Sequence, residues 1–410
     1  MNATPPPVAQ GRPGEVFGAF LKLGLTSFGG PVAHLGYFRE ELVTRRGWLS
    51  DAAYADLVAL CQFLPGPASS QVGFALGMMR AGWCGAIAAF VAFTLPSALI
   101  LMVFAMGAAA LDGPVGQGAL HGLKLVAVAI VAQAVLGMAR QLCPDRARAL
   151  IAVMAIALLA LVPAPWGMVA AIVTGGLAGL LLGKGRDSVA LAAGRVAMPV
   201  TRGQAGLAAA LFGGLLLGLP VVAGLSQGLA PGWTAGWNLA DSFYRAGALV
   251  FGGGHVVLPL LEAELVQTGR VGADAFLAGY GAAQAVPGPL FTFAAYLGVV
   301  TVTGPDGMIG AAIALLALFL PGFLILTAAL PAWERMRGMT GAQSAMQGAN
   351  AAVVGILAAA LYSPVFTSSV AGMTDLALAA LCFVLLVAWK APPWAVVLLA
   401  ALSGIAMALV

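Results

Sequence analysis

The stretch Gln62-Phe63-Leu64-Pro65-Gly66-Pro67 decides the reading of this chain, because it recurs as Gln284-Ala285-Val286-Pro287-Gly288-Pro289 in an equally apolar setting. Two prolines around a glycine end a helix: each removes a backbone donor and pushes the preceding residue into extended geometry. In lipid such a break survives only where it is buried in protein or lines a watery cavity. A matched pair of breaks in two halves of one chain points to a transporter's substrate site.

The surroundings of the two breaks match as well. Phe20-x-Lys22-x-Gly24 with Phe28-Gly29-Gly30 answers to Phe243-x-Arg245-x-Gly247 with Phe251-Gly252-Gly253, offset by 223, and Glu41 falls on Glu264 at that same offset. Leu95-Pro96 answers to Leu320-Pro321, and Gly122-x-Lys124 to Gly348-x-Asn350. The chain is an internal duplication. Of its 410 residues 61% are hydrophobic and 8% charged, against about 25% charged in soluble domains. The fold class is therefore an all-α polytopic membrane protein, with no room for a sizeable soluble domain. The net charge of +4 fits basic loops on one membrane face and no nucleic-acid surface. Cys61, Cys84, Cys143 and Cys382 lack C-x-x-C spacing and read as small apolar residues, not as disulfides or zinc ligands.

Apolar runs near 16–37, 52–79, 83–111, 118–140, 147–162 and 165–183 make the first half. Runs near 239–261, 274–300, 307–330, 344–362, 374–390 and 393–410 make the second. The expected organisation is a polar tail (1–15), a first membrane repeat (16–183), a basic connector with one linking span (184–238) and a second repeat (239–410). Residues 1–15 lack a signal-peptide pattern, so the first span reads as an uncleaved anchor. Loops holding Arg80 and Arg140, Arg146 and Arg148 are basic in the first half. In the second half the counterparts of the neutral loops carry Arg335, Arg337 and Lys390, while Asp306 and Asp375 mark the others. This exchange predicts inverted-topology repeats, about thirteen membrane segments, the N-terminus inside and the C-terminus outside. A course of full crossings sets Arg39, Arg45 and Arg46 opposite Arg80. A re-entrant course for the broken segments satisfies the total loop charge nearly as well.

The candidate substrate site gathers around the breaks. Ser27, Gly29 and Gly30 in one half, and Gly252, Gly253 and Gly254 in the other, let backbone approach a ligand closely. After Pro65-Gly66-Pro67 and Pro287-Gly288-Pro289, new half-helices begin with Ser69 and Ser70 and with Thr292; their free N–H groups and positive dipole ends favour an anion. Gln62 and Gln284 flank the breaks as neutral donors. Lys22 and Arg245 stand six residues before each Phe-Gly-Gly, and a mid-membrane cation costs roughly 2.5–3.5 kcal/mol, which suggests a use for a matched pair. The bland alternatives are ordinary kinks and snorkelling side chains. Lys124 is a weaker candidate, its counterpart being Asn350. His255 is the proton-coupling candidate among three histidines, His34 and His121 being the others; Glu41 and Glu264 join it as matched carboxylates, with solvated helix caps as their plain reading. Gly183-Lys184-Gly185 lacks the rest of a P-loop, and neither H-E-x-x-H nor G-x-S-x-G occurs. A transporter without a cofactor is expected, not an enzyme.

The segments Phe20 to Pro31, Gln62 to Gln71 and Phe243 to Pro289 resemble the signature regions of chromate ion transporters in their long two-half form. The resemblance spans nearly the whole chain. It implies a protein of the bacterial inner membrane that exports chromate from the cytoplasm and uses the proton gradient. A sulfate-type oxyanion carrier and a passive anion channel are the alternatives. Ser69-Ser70 facing Phe291-Thr292, and Pro31 and Val32 facing Gly254 and His255, predict a single asymmetric site.

Overall fold

The computed structural model describes residues 11–108, 113–162, 166–183, 199–226, 231–251, 253–302, 305, 307–333 and 339–409. Gly252, the first ten residues of the tail, the connector cations Lys184, Arg186 and Arg195, and the loop charges Asp306, Arg335 and Arg337 lie outside the described residues. The described secondary structure is helical throughout. The first half holds α1 (Pro13–Thr26), α2 (Gly30–Phe38), α3 (Asp51–Phe63), α4 (Ala68–Ala108), α5 (Pro114–Leu142), α6 (Arg146–Leu161) and α7 (Trp166–Leu182). The linking helix is α8 (Arg202–Leu225), opened by a Thr201–Gln204 capping box. The second half holds α9 (Pro231–Ala248), α10 (Val257–Leu265), α11 (Ala273–Ala283), α12 (Phe293–Val300), α13 (Gly307–Ala329), α14 (Thr340–Ala360), α15 (Met373–Val387) and α16 (Pro393–Leu409). α4, α5, α8, α13 and α14 are long and apolar enough to cross a membrane, and α7, α15 and α16 are shorter apolar helices. The chain is a multi-pass membrane protein.

The segments read as broken spans fold back on themselves. Were 16–37 one interrupted crossing, Phe20 and Phe38 would lie about 27 Å apart; their ring centroids are 5.5 Å apart. Phe20 also meets Trp48 at 6.5 Å, and the Arg80 guanidinium sits 5.4 Å over the Trp48 ring. Arg80 in turn pairs with Glu15 at 3.0 Å. Start, middle turn and end of the first four helical pieces thus share one level, and α1–α2 and α3 with the first part of α4 form two helical hairpins. Their tips are the glycine run and the P-G-P. Of the two courses that loop charge leaves open, the fold-back course matches this placement: the turn that carries Arg39, Arg45 and Arg46 lies at the Arg80 level. The second half repeats the arrangement. Arg270, in the turn between α10 and α11, donates to Ser242 of α9 at 2.9 Å, and its carbonyl accepts from the Val302 amide at 3.0 Å.

Sequence sets the tips. Leu64 is extended before Pro65, and Gly66 and Gly288 hold φ of +118° and +102°, which a side chain disfavours. Two long helices run past them. α4 bends at Ala81–Gly82, passes Gly24 of α1 and Gly288, and brings Phe104 to within 5.8 Å of Tyr296 near the base of the second half's hairpins. α13 starts beside Gly298 in α12, passes Gly247 and Gly66, and ends where the Trp333 indole donates to Asp56 of α3 at 3.2 Å. The remaining helices trade partners. α5 packs on α15 and α16, and α14 on α6 and α7. Gly118 and Gly122 lie against Ala400 and Gly404, just as Ser344 and Gly348 lie against Gly175 and Gly179. With no hydrophobic drive between helices in lipid, such small-residue seams supply close packing.

Candidate substrate site where the helix breaks meet

The four tips converge. The Gly66 amide donates to the Val250 carbonyl at 2.8 Å, and the Gly288 amide donates to the Ser27 carbonyl at 2.9 Å. These two bonds are counterparts at the repeat offset, each joining the P-G-P of one half to the glycine run of the other. Pro31 and Gly254, themselves counterparts, touch between them.

Around this backbone crossing the first half is polar. His34 Nδ1 lies 3.4 Å from Ser69 Oγ, and its ring stands edge-on to Phe93 at 5.4 Å. Ser97 Oγ donates to the Thr94 carbonyl at 3.0 Å and approaches Gly288. Gln71 Nε2 donates to the carbonyls of Pro65 and Gly322, at 2.9 and 2.8 Å, and so ties the first P-G-P to α13. Ser27 Oγ, His34 Nε2, Ser70 Oγ, Gln71 Oε1 and Thr94 Oγ1 are buried without a hydrogen-bond partner. Buried polar atoms rarely stay unpaired, and here five crowd around the start of α4, where first-turn amides add a positive dipole end. Their counterparts in the second half are Val250, Val257, Thr292, Phe293 and Phe319; four are apolar, and Thr292 is bonded back to the Pro289 carbonyl at 2.7 Å. The centre is one-sided.

The charged candidates stand apart from it, paired with one another. Lys22 Nζ meets Glu41 at 2.7 Å, and Arg46 reaches the same carboxylate at 3.0 Å. The hydrogen bond from Lys22, helped by Arg46, holds the Glu41 carboxyl below its usual range. Arg245 meets Glu264 at 3.0 Å and Asp241 at 2.9 Å. His255 Nδ1 lies 2.8 Å from the Tyr280 hydroxyl. Lys124 pairs with Asp274 at 2.8 Å and His121 with Asp375 at 2.8 Å. Gln62 and Gly29 are exposed, whereas Gln284 is half-buried with Nε2 unpartnered. Gly30, Pro65, Pro67, Gly253, Pro287 and Pro289 lie in the tips themselves. His34, Gln71, Thr94 and Ser97 escaped sequence reasoning. Aligning the halves exposes three of them, as His34 against Val257, Gln71 against Phe293 and Thr94 against Phe319.

Long apolar helices around converging hairpin tips, with unpaired buried polar atoms beside them, define a polytopic membrane protein. The chain belongs to the chromate transporter family, which it matches twice, over residues 14–180 and 237–405. It is 29% identical over 363 residues to a chromate transport protein of Pseudomonas aeruginosa, covering 87% of this chain and 82% of that one. It is 26% identical to a probable chromate transport protein of Synechococcus elongatus, covering 83% and 82%. To a chromate transport protein of Cupriavidus metallidurans it is 27% identical, covering 83% and 80%. No solved structure matches the chain.

Proposed function

We propose that the protein carries chromate across a bacterial inner membrane, exporting it from the cytoplasm by exchange against protons, with the substrate held where the four tips meet. The observation that carries this reading is the buried set of unpaired polar atoms, the hydroxyls of Ser27, Ser70 and Thr94 among them, at a crossing built from both halves. Ser27, Ser69, Ser70 and the first amides of α4 offer hydrogen bonds to a tetrahedral dianion, and hydrogen bonds to a charged group contribute about 1.5–3 kcal/mol each. Lys22 and Arg245 lend positive potential from their ion pairs. His255, Glu41 and Glu264 stand as proton-coupling candidates beside them.

The two repeats run in opposite senses in this reading. The bases of the first hairpins lie at the bend of α4 and the end of α13, and those of the second at the end of α4 and the start of α13. Full crossings are then made by the second part of α4, by α5 to α8 and by α13 to α16, fewer than thirteen because the hairpins re-enter. This course gathers Arg12, Arg39, Arg45, Arg46, Arg80, Arg140, Arg146, Arg148, Arg202 and Lys390 on one face and leaves Arg270 on the other. That face is cytoplasmic by the positive-inside rule. Rocking one repeat against the other then opens the midplane site to each side in turn.

Labelled chromate uptake into inside-out vesicles tests the proposal, with and without a proton gradient and with excess sulfate. Gradient-dependent accumulation that resists sulfate is the expected result. Uptake that never exceeds equilibrium identifies a passive channel, and full suppression by sulfate identifies a general oxyanion carrier.

A further inference from the structure

Apart from the tips, the molecule holds a second polar feature that the transport reading leaves unused. A cavity of about 430 Å³ opens between α10 of the second hairpin and the ends of α6, α7 and α14. Its wall is apolar, with Leu159, Met168 and Ile356 among the lining, except at Glu262, Gln267, Tyr362 and Ser363. Glu262 is buried, at 5% exposure, and accepts one hydrogen bond, from Gln267 Nε2 at 3.0 Å. Among the described residues no cation pairs with it. α6, α7 and α14 bring no charged group to the wall, and Tyr362 is the other titratable side chain there. The nearby charges on α9 and in the turn after α10 are engaged elsewhere: Arg245 and Asp241 bind each other, Arg245 also binds Glu264, and Arg270 donates to Ser242.

A buried carboxylate without a cation is costly to keep ionised. Glu41 and Glu264, by contrast, each face a cation, Lys22 and Arg245, and His255 is engaged with Tyr280. We propose that Glu262 is the proton-binding site of the transport cycle, reached through this cavity. The inference rests on the exchange reading above and moves its coupling step to a residue outside the sequence candidates. A proton is the fitting ligand, since one carboxylate and one amide fall far short of the six or more oxygens a hard metal ion takes. The site has no twin: the counterpart of Glu262 is Arg39, an exposed residue paired with Asp51 at 2.7 Å. Half one therefore holds the anion and half two the proton. The cavity opens at the Arg270 face, away from the cytoplasm in the proposed orientation, which is the side from which driving protons enter. The site also spans the contact between a hairpin and the partner-trading helices, so proton binding there bears directly on their relative movement.

The experiment uses the full chain in proteoliposomes, measuring gradient-driven chromate accumulation and chromate–chromate exchange for the wild type and Glu262→Gln. Loss of accumulation with exchange kept at the wild-type rate is the expected result. Accumulation at the wild-type level in Glu262→Gln overturns the inference and leaves the transport reading intact. A wild type that exchanges chromate but ignores the gradient overturns both this inference and proton coupling, while absence of any chromate movement overturns the transport reading itself. Should Glu262→Gln misfold, Glu262→Asp is expected to keep accumulation with a displaced pH optimum, and an unmoved optimum counts against the site. Labelling of the wild type by a hydrophobic carbodiimide, mapped by mass spectrometry, is expected at Glu262 and is expected to fall as pH rises. Absence of label there, or labelling indifferent to pH, contradicts the proposal.

Discussion

Gly66→Ala is the sharpest perturbation of the crossing. The φ of +118° at Gly66 is one that side-chain-bearing residues rarely adopt, and a Cβ there sits 2.9 Å from Gly322 Cα and 3.0 Å from Gln71 Nε2. The backbone penalty is about 1–2 kcal/mol. Neither neighbour yields easily: one is backbone, and the other is held by two hydrogen bonds. Overpacking therefore adds about 1–3 kcal/mol, for a total of roughly 2–5 kcal/mol. Gly288→Ala meets instead the Ser97 hydroxyl at 2.7 Å, the rotatable end of a small side chain, so the backbone penalty dominates there. Gly213→Ala, in α8 with nothing within 4 Å, gains about 0.5–1 kcal/mol from helix propensity. Thermal unfolding of the three detergent-purified variants, followed by tryptophan fluorescence, is expected to rank Gly66→Ala below Gly288→Ala and both below Gly213→Ala. A Gly66→Ala protein as stable as Gly213→Ala refutes the close crossing of tips.

Further outcomes follow from the same contacts. Ser27→Ala removes a buried, unpartnered hydroxyl, so it should raise the stability of the substrate-free protein by about 1 kcal/mol while weakening chromate binding more than tenfold; a stability loss in unfolding scans contradicts this. Arg245→Ala strands both Asp241 and Glu264 and should cost about 3–5 kcal/mol, whereas Lys22→Ala leaves Glu41 with Arg46 and should cost about 1 kcal/mol or less. Unchanged chromate affinity in a folded double variant removes both cations from the mechanism. Thr44→Cys, in the exposed turn after α2 and with Cys84 replaced by serine, should react with an impermeant thiol reagent in inside-out vesicles; reaction only in right-side-out cells contradicts the re-entrant course.

The helix ends were legible because Pro65, Gly66, Pro67 and their counterparts act on their own backbone, whatever the tertiary context. The duplication was legible because both halves keep the same residues at the same spacing. The fold-back of α1 on α2 was not. Hydropathy reports the length of an apolar run and not its direction, and the contact that settles it, Phe20 on Phe38, is tertiary. The ion pairs are half visible: Lys22 to Glu41 and Arg245 to Glu264 share one spacing, but spacing alone does not say that cation and carboxylate meet. The site's serines announced themselves beside the prolines, while His34 and Ser97 enter it only through packing against Phe93 and Gly288.

The most direct test of the account is labelled chromate binding by purified Ser27→Ala/Ser69→Ala/Ser70→Ala protein, compared with the wild type. Three lost hydrogen bonds to a dianion predict an affinity at least roughly 100-fold weaker, in a protein that still unfolds cooperatively. A folded triple variant that binds chromate with wild-type Kd places the substrate somewhere other than the meeting of the tips.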